Sequence, residues 1–311
     1  MSSIEIVAGG FLTTVQDLGR PGRAAIGVSA SGAADPIALR VGNRLVGNSE
    51  RAAALEMTLV GATVRFSADT VFALTGADAG AELSGRAVPR WHLVRAMAGD
   101  TLTGRALRGG ARAYLCVRGG IEVAAVFESA STHLASGLGG FQGRRLAAGD
   151  RLAIGPAAPM TPSDRALDPS DLPGYRSGEA LRVTAGPQAA WFHRDAGSTL
   201  ASATWRVAEA CDRMGIRLEG PPLQLADSRE LVTEGVALGA VQVPPDGRPI
   251  VLFVEHQTSG GYPKLANVAS VDMARLGQLR PRDAVRFHAV SFDDAVTLAR
   301  AQDAALRSLL R

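Results

Sequence analysis

Pro249-Ile-Val-Leu-Phe-Val-Glu-His-Gln-Thr-Ser-Gly-Gly-Tyr-Pro-Lys264 carries the pattern that decides the fold. Its apolar run is far short of the roughly 20 residues a membrane span needs. It also stops abruptly, at polar residues and a Gly-Gly pair. A short apolar run bounded by turn residues reads as a β-strand, here over 250–255. The same pattern recurs over 4–8, 54–59, 71–75, 113–117 and 151–154, then over 181–185, 205–208, 216–219 and 284–290. With 36 glycines available for tight turns, this spacing predicts a mainly β protein of sandwich or barrel type.

Helices are expected to be few and short. Asp35-Pro36, followed by Ile37, Val41, Leu45 and Gly47, reads as N-cap, N1 proline, apolar face and terminating glycine. Ser291-Phe-Asp-Asp294 resembles a capping box that opens a C-terminal helix with Phe292, Val296, Ala299, Leu306 and Leu310 on its apolar face. A short helix is expected after Ser270.

A chain of 311 residues suggests two domains at about 150 residues each. Five prolines between 155 and 174 support neither a helix nor a central strand. The expected organisation is an N-terminal β lobe over 1–155, a Pro-rich linker over 156–180, a C-terminal β-barrel over 181–290 and a C-terminal helix over 291–311.

The formal net charge is only +3 and aromatics make up 5% of the chain. No basic run is interleaved with aromatics, so nucleic acid is not an expected partner. Cys116 and Cys211 lie far apart, which fits a reducing compartment and argues against structural zinc. No histidine cluster suggests another metal site. Met1-Ser-Ser-Ile-Glu has neither the basic nor the apolar region of a signal peptide. The expected location is the cytoplasm, with no membrane association. P-loop, nucleophile-elbow and zinc-helix motifs are absent from the sequence, as is a Met-Lys-Met biotin-attachment tripeptide.

Candidate chemistry gathers after residue 254. There an apolar strand presents Glu255, Gln257 and Thr258, then Gly260 and Gly261, then Tyr262 and Lys264. Two adjacent glycines could form a backbone nest for an anion. The lysine adds a compact, movable charge. It is the single lysine beside 32 arginines, so a position that keeps it reads as one where arginine would not serve. A hairpin turn with a chance lysine is the plainer reading. Asp212-Arg213-Met-Gly offers Arg213 as a carboxylate or phosphate clamp, while Arg217 and Glu219 fit a solvated strand face. Glu234 and Gln242 sit near strand ends as a candidate base and amide-recognising group. Asp17 and Arg20 could belong to a pair of polar loops in which Ser31 and Asp35 line a cleft beside the first helix. Equally, Asp17 and Arg20 could stabilise a turn and Asp35 could serve only as a helix cap.

Several ordered motifs resemble the allophanate hydrolase subunit 2 family, also called the biotin-dependent carboxyltransferase family. They are Thr14-Val-Gln-Asp-Leu-Gly-Arg-Pro-Gly22, Ser31-Gly-Ala-x-Asp35, Asn43-x-Leu-Val-Gly-Asn48, Leu74-Thr-Gly-Ala-Asp78, Asp212-Arg-Met-Gly-x-Arg-Leu218 and Gln257-Thr-x-Gly-Gly-Tyr-Pro263. The resemblance runs from about residue 10 to 287. It implies two cyclophilin-like β-barrel lobes and pairing with a sister subunit 1, the B component. It further implies a role like that of the C component of an ATP-dependent 5-oxoprolinase, which opens 5-oxoproline to glutamate with a third hydrolase subunit. Such a chain is expected to be inactive alone, to share ATP with its partners and to act on a small amide. In that setting Lys264, Glu255 and Gln257 are the expected catalytic residues. Arg213, Tyr262, Thr258, Gln242, Gly260, Gly261, Asp17, Arg20 and Ser31 are expected to bind substrate. The family also allows a carboxyltransferase subunit served by biotin on a separate carrier protein, or a non-catalytic antagonist of a kinase inhibitor. The family usually has Asp where this chain has Glu255.

Overall fold

The computed structural model describes residues 2–157, 159, 161–162, 166–172, 179–227 and 229–310. They form two compact units, one gathering 2–20, 31–171 and 310, the other 21–30 and 172–309. Much of the expected Pro-rich linker (158, 160, 163–165 and 173–178) lies outside the described residues.

In the first unit, alternation within the strands builds the core. Ser3–Ala8 turns Ile4 and Ile6 inward, and Thr63–Phe66 does the same with Val64 and Phe66. These strands belong to a seven-stranded sheet. Its order is Ile121–Glu122, Arg151–Ile154, Ser3–Ala8, Thr63–Phe66, Thr101–Thr103, Glu82–Leu83 and Arg86–Ala87. A five-stranded sheet runs Leu12–Gln16, Ala54–Thr58, Arg108–Val117, Thr70–Asp78 and Leu93–Ala96. Phe72, Leu74, Ala113, Leu115 and Val117 of this sheet join Ile4, Ile6, Val64 and Phe66 in one apolar core.

The alternate residues of those strands are buried too, because the helix Pro36–Leu45 covers them. Thr75 Oγ1 donates to the Ala38 carbonyl at 2.7 Å. A Cβ at Gly42 would lie 2.6 Å from Cys116 Sγ, so only glycine lets the helix approach this closely. Asp35 caps the helix by accepting from the Ala38 amide at 2.9 Å.

In the second unit an eight-stranded sheet runs Ala284–Val285, Trp205–Val207, Gly215–Glu219, Ile250–Leu252, Ala240–Gln242, Lys264–Val268, Leu181–Ala185 and Phe287–Ala289. Its two edge strands are consecutive in the chain, with only Arg286 between them. An eight-stranded sheet whose edges come within one residue of each other is a nearly closed barrel. Ile216 and Leu218 face inward, while Arg217 and Glu219 face solvent as the alternation predicts.

Asp272 is fully buried and ties the strand Leu181–Ala185 to the short helical segments after Ser270. It accepts from the Arg182 amide at 2.6 Å and from Arg182 Nε and Nη2 at 2.9 and 2.6 Å, and Arg275 Nη1 adds a contact at 3.0 Å. Ser291 caps the C-terminal helix Phe292–Leu309 through the Asp294 amide at 3.0 Å. Phe292, expected on its apolar face, is 73% exposed. The helix instead packs through later turns, where Gln302 donates to the Val271 carbonyl and Leu306 is buried. No helix among the described residues is long and apolar enough to cross a membrane.

Candidate active site

Lys264 lies in the sheet rather than on the loop that the sequence suggested. It opens the strand Lys264–Val268, between Ala240–Gln242 and Leu181–Ala185. Pairing runs Val241 to Ala266 and then Gln242 to Lys264, so one extra residue is taken up at Leu265. Such a bulge re-aims side chains, and here it sets Gln242 and Lys264 opposite each other. The Lys264 side chain is 4% exposed, with Nζ 2.6 Å from Glu234 Oε1. Gln188 Nε2 donates to that same oxygen at 2.9 Å, and Gln188 Oε1 accepts from the Lys264 amide at 3.2 Å. Hydrogen bonds from the Lys264 ammonium and the Gln188 amide hold the Glu234 carboxyl below its ordinary range.

Beside this group two side-chain amides meet. Exposed Gln257 donates from Nε2 to Oε1 of buried Gln242 at 3.4 Å, and Gln242 Nε2 donates to the Tyr262 carbonyl at 3.4 Å. Gly260 makes room for both, since a Cβ there would lie 2.8 Å from Gln242 Nε2 and 3.4 Å from Gln257 Nε2. The Tyr262 ring is 46% exposed. The Thr258 carbonyl accepts from the Val236 amide at 3.1 Å.

The expected glycine nest is not formed. Neither Gly260 nor Gly261 is among the residues with positive φ, and a nest needs that alternation of hand. Gly260 instead belongs to a two-stranded ribbon in which Ser259–Gly260 pairs with Glu234–Gly235.

Glu255 and Arg213, expected as an acid/base and a substrate clamp, are joined to each other. Arg213 Nε sits 2.5 Å from Glu255 Oε1, and both side chains are 3% exposed. The Glu255 amide also donates to the Arg213 carbonyl at 2.7 Å. The carboxylate and guanidinium thereby neutralise each other in the interior, next to His256 and Gln257 in the chain. Burial pushes the His256 ring below its ordinary pKa. Donation from Nδ1–H to the Gln257 carbonyl at 2.6 Å opposes that shift.

The three candidates of the first unit are each held by atoms of neighbouring loops. Asp17 accepts from the Gly19 and Ala130 amides at 2.7 and 2.8 Å and from Ser129 and Ser131 Oγ at 2.7 and 2.5 Å. Arg20 donates to the Val126 and Ser131 carbonyls, and Ser31 Oγ donates to the Thr132 carbonyl at 2.7 Å. All three are buried and tie loops together. Nearby, Tyr114 donates to Glu56 Oε2 at 2.7 Å and accepts from the Asp35 amide at 2.8 Å. Burial and the Glu56 and Asp35 charges raise that phenol well above its ordinary pKa.

Sequence reasoning missed Gln188. Its one signal is position: it follows Gly186-Pro187 at the end of a strand, where polar side chains gather in barrels.

The class these features define is a mainly β protein, barrel-like in its second unit, that collects a buried ammonium, a carboxylate and side-chain amides at the ends of neighbouring strands. The chain belongs to the carboxyltransferase domain family, subdomains A and B, which it matches over residues 26–289. It is 40% identical to the C subunit of 5-oxoprolinase from Escherichia coli strain K12, over 94% of this chain and 93% of that one. It is 32% identical to urea amidolyase of Saccharomyces cerevisiae, over 99% of this chain but 18% of that protein. The crystal structure of K. lactis urea amidolyase superposes with a TM-score of 0.92 at 31% identity, covering 98% of this chain and 20% of that one.

Proposed function

We propose that this chain is the C-type subunit of an ATP-dependent 5-oxoprolinase, opening 5-oxoproline to glutamate in the cytoplasm together with a B-type subunit and a third hydrolase subunit, and inactive without them. The proposal rests on one feature of the second unit: the buried Lys264 ammonium beside the Gln242–Gln257 amide pair. A lactam presents its N–H and C=O on the same side. A glutamine amide presents the same two groups, so the two can join through paired hydrogen bonds. The ammonium suits an oxyanion, either the substrate carboxylate or a phosphoryl group carried on the lactam oxygen. Phosphorylation turns a poor electrophile into one that water can attack. The 40% identity to the C subunit of a 5-oxoprolinase, over nearly the whole of both chains, supports the same reading.

Co-expression with the two partner subunits, followed by measurement of ATP-dependent glutamate release, tests it. Lys264→Ala is expected to lose at least roughly tenfold in kcat/KM, on the scale of a lost charged contact. Full activity in that variant removes the lysine from the mechanism. The relationship to urea amidolyase favours a second reading, CO2 transfer from carboxybiotin on a separate carrier to a urea-like acceptor. Turnover that requires a biotinylated carrier would select that reading.

A further inference from the structure

The Lys264 ammonium has three N–H donors but, among the described residues, one carboxylate within reach, Glu234 at 2.6 Å. The partners are unequal, the lysine side chain 4% exposed and the glutamate 43%. Glu234 sits in the segment 229–238, whose residues are exposed except for half-buried Leu231 and Val236. That segment is fastened beside the site by few contacts. Around Glu234 they are the ribbon pairs Glu234 to Gly260 and Gly235 to Ser259, the Val236 amide on the Thr258 carbonyl, and Gln188 Nε2 on Glu234. At the segment's ends the Arg229 guanidinium lies 5.1 Å from the Trp191 ring centroid and Asn267 Nδ2 donates to the Leu238 carbonyl at 3.5 Å.

We propose that Glu234 is a displaceable counter-ion, holding the Lys264 ammonium until an oxyanion of the ligand takes its place. The inference rests on Lys264 being the anion-receiving group of the proposed function. A buried ammonium needs a compensating charge before the ligand arrives. That partner must also leave cheaply, and a half-exposed carboxylate does, because exposed ion pairs contribute little. The same logic accounts for the one lysine in an arginine-rich chain. A guanidinium would grip Glu234 through two parallel hydrogen bonds and resist the exchange.

The test uses the chain assembled with its partner subunits. Acetylation by acetic anhydride, read from the mass of the peptide containing residue 264, reports exposure of this amine without turnover. Glu234→Gln is expected to raise the acetylation rate by roughly threefold, and to lower KM for 5-oxoproline by roughly twofold to fivefold, the range of a half-exposed pair. In the parent complex 5-oxoproline or inorganic phosphate should slow acetylation, whereas neutral 2-pyrrolidinone should not. Slowing by 5-oxoproline alone assigns the oxyanion to the substrate carboxylate, and slowing by phosphate assigns it to a phosphoryl group. An unchanged acetylation rate in Glu234→Gln, a raised KM, or protection by neither anion overturns the counter-ion role. Those failures differ from failure of the proposed function, which would appear as full activity in Lys264→Ala.

Discussion

Arg213→Met keeps much of the side-chain volume and removes the guanidinium that Glu255 is held against. With both side chains 3% exposed and 2.5 Å apart, breaking the pair from one side leaves a charge in the interior, at a cost of about 3–5 kcal/mol. For a unit of this size each kcal/mol shifts the melting temperature by about 2–4 °C, so the single variant should melt roughly 6–20 °C lower. Glu255→Leu alone should fall by a similar amount. The double variant removes both charges and should recover most of the loss, since replacing a buried pair by apolar residues is often neutral. A substrate clamp would behave in the opposite way, with stability unchanged and KM for 5-oxoproline raised. Circular-dichroism melts of the four proteins of the cycle, with KM measured in the assembled complex, separate the two roles. Single variants that melt within about 2 °C of the parent, on the same scale, with purely additive effects in the double, would refute the buried-pair reasoning.

Asp272 gives a pH dependence of definite sign. Burial alone would raise its pKa, but the Arg182 side-chain and backbone hydrogen bonds and the charges of Arg182 and Arg275 leave it lowered. The stability it contributes is therefore present above the unfolded value of about 3.9 and lost as pH falls through the folded value. Acid-unfolding curves should show Asp272→Asn, already destabilised at neutral pH by about 3–5 kcal/mol, losing less on acidification than the parent does. Gly260→Ala should push the Gln242 amide aside, because the new methyl lies 2.8 Å from Nε2. The expected result is a raised KM with a melting temperature close to the parent's, measured by steady-state kinetics and a thermal melt.

The fold was legible where one residue in two must face a core. The runs at 151–154 and 181–185 are strands with those same ends, and the helix opened by Asp35-Pro36 is capped as its sequence predicts. Strands of two or three residues, such as Thr101–Thr103 or Glu82–Leu83, are too brief to show any period. The short helix Ala196–Ser202 escaped because an Ala-Gly-Ser-Thr start has the composition of a turn. Lys264–Val268 was hidden by Tyr-Pro before it, which reads as the tail of a loop.

Of the candidate site, the polar cluster around Lys264 was legible apart from Gln188, and the pairings within it were not, for the same physical reason. Composition marks where charged and amide side chains collect, but partners across a barrel are chosen by register. Gln188 reaches Lys264 across 76 positions of sequence, and Gln242 reaches it through a bulge that shifts the pairing by one residue. Arg213 and Glu255 each looked like a hand held out to a ligand until the strands Gly215–Glu219 and Ile250–Leu252 were paired, which brings the residues just outside them together. Asp17 shows the limit of reading polarity as function. Its carboxylate faces four donors from residues 19 and 129–131, the satisfaction expected of a buried acceptor that ties loops together. By that criterion Lys264 stands apart, being a buried donor whose carboxylate partner is half exposed, and a ligand can contest that carboxylate's place.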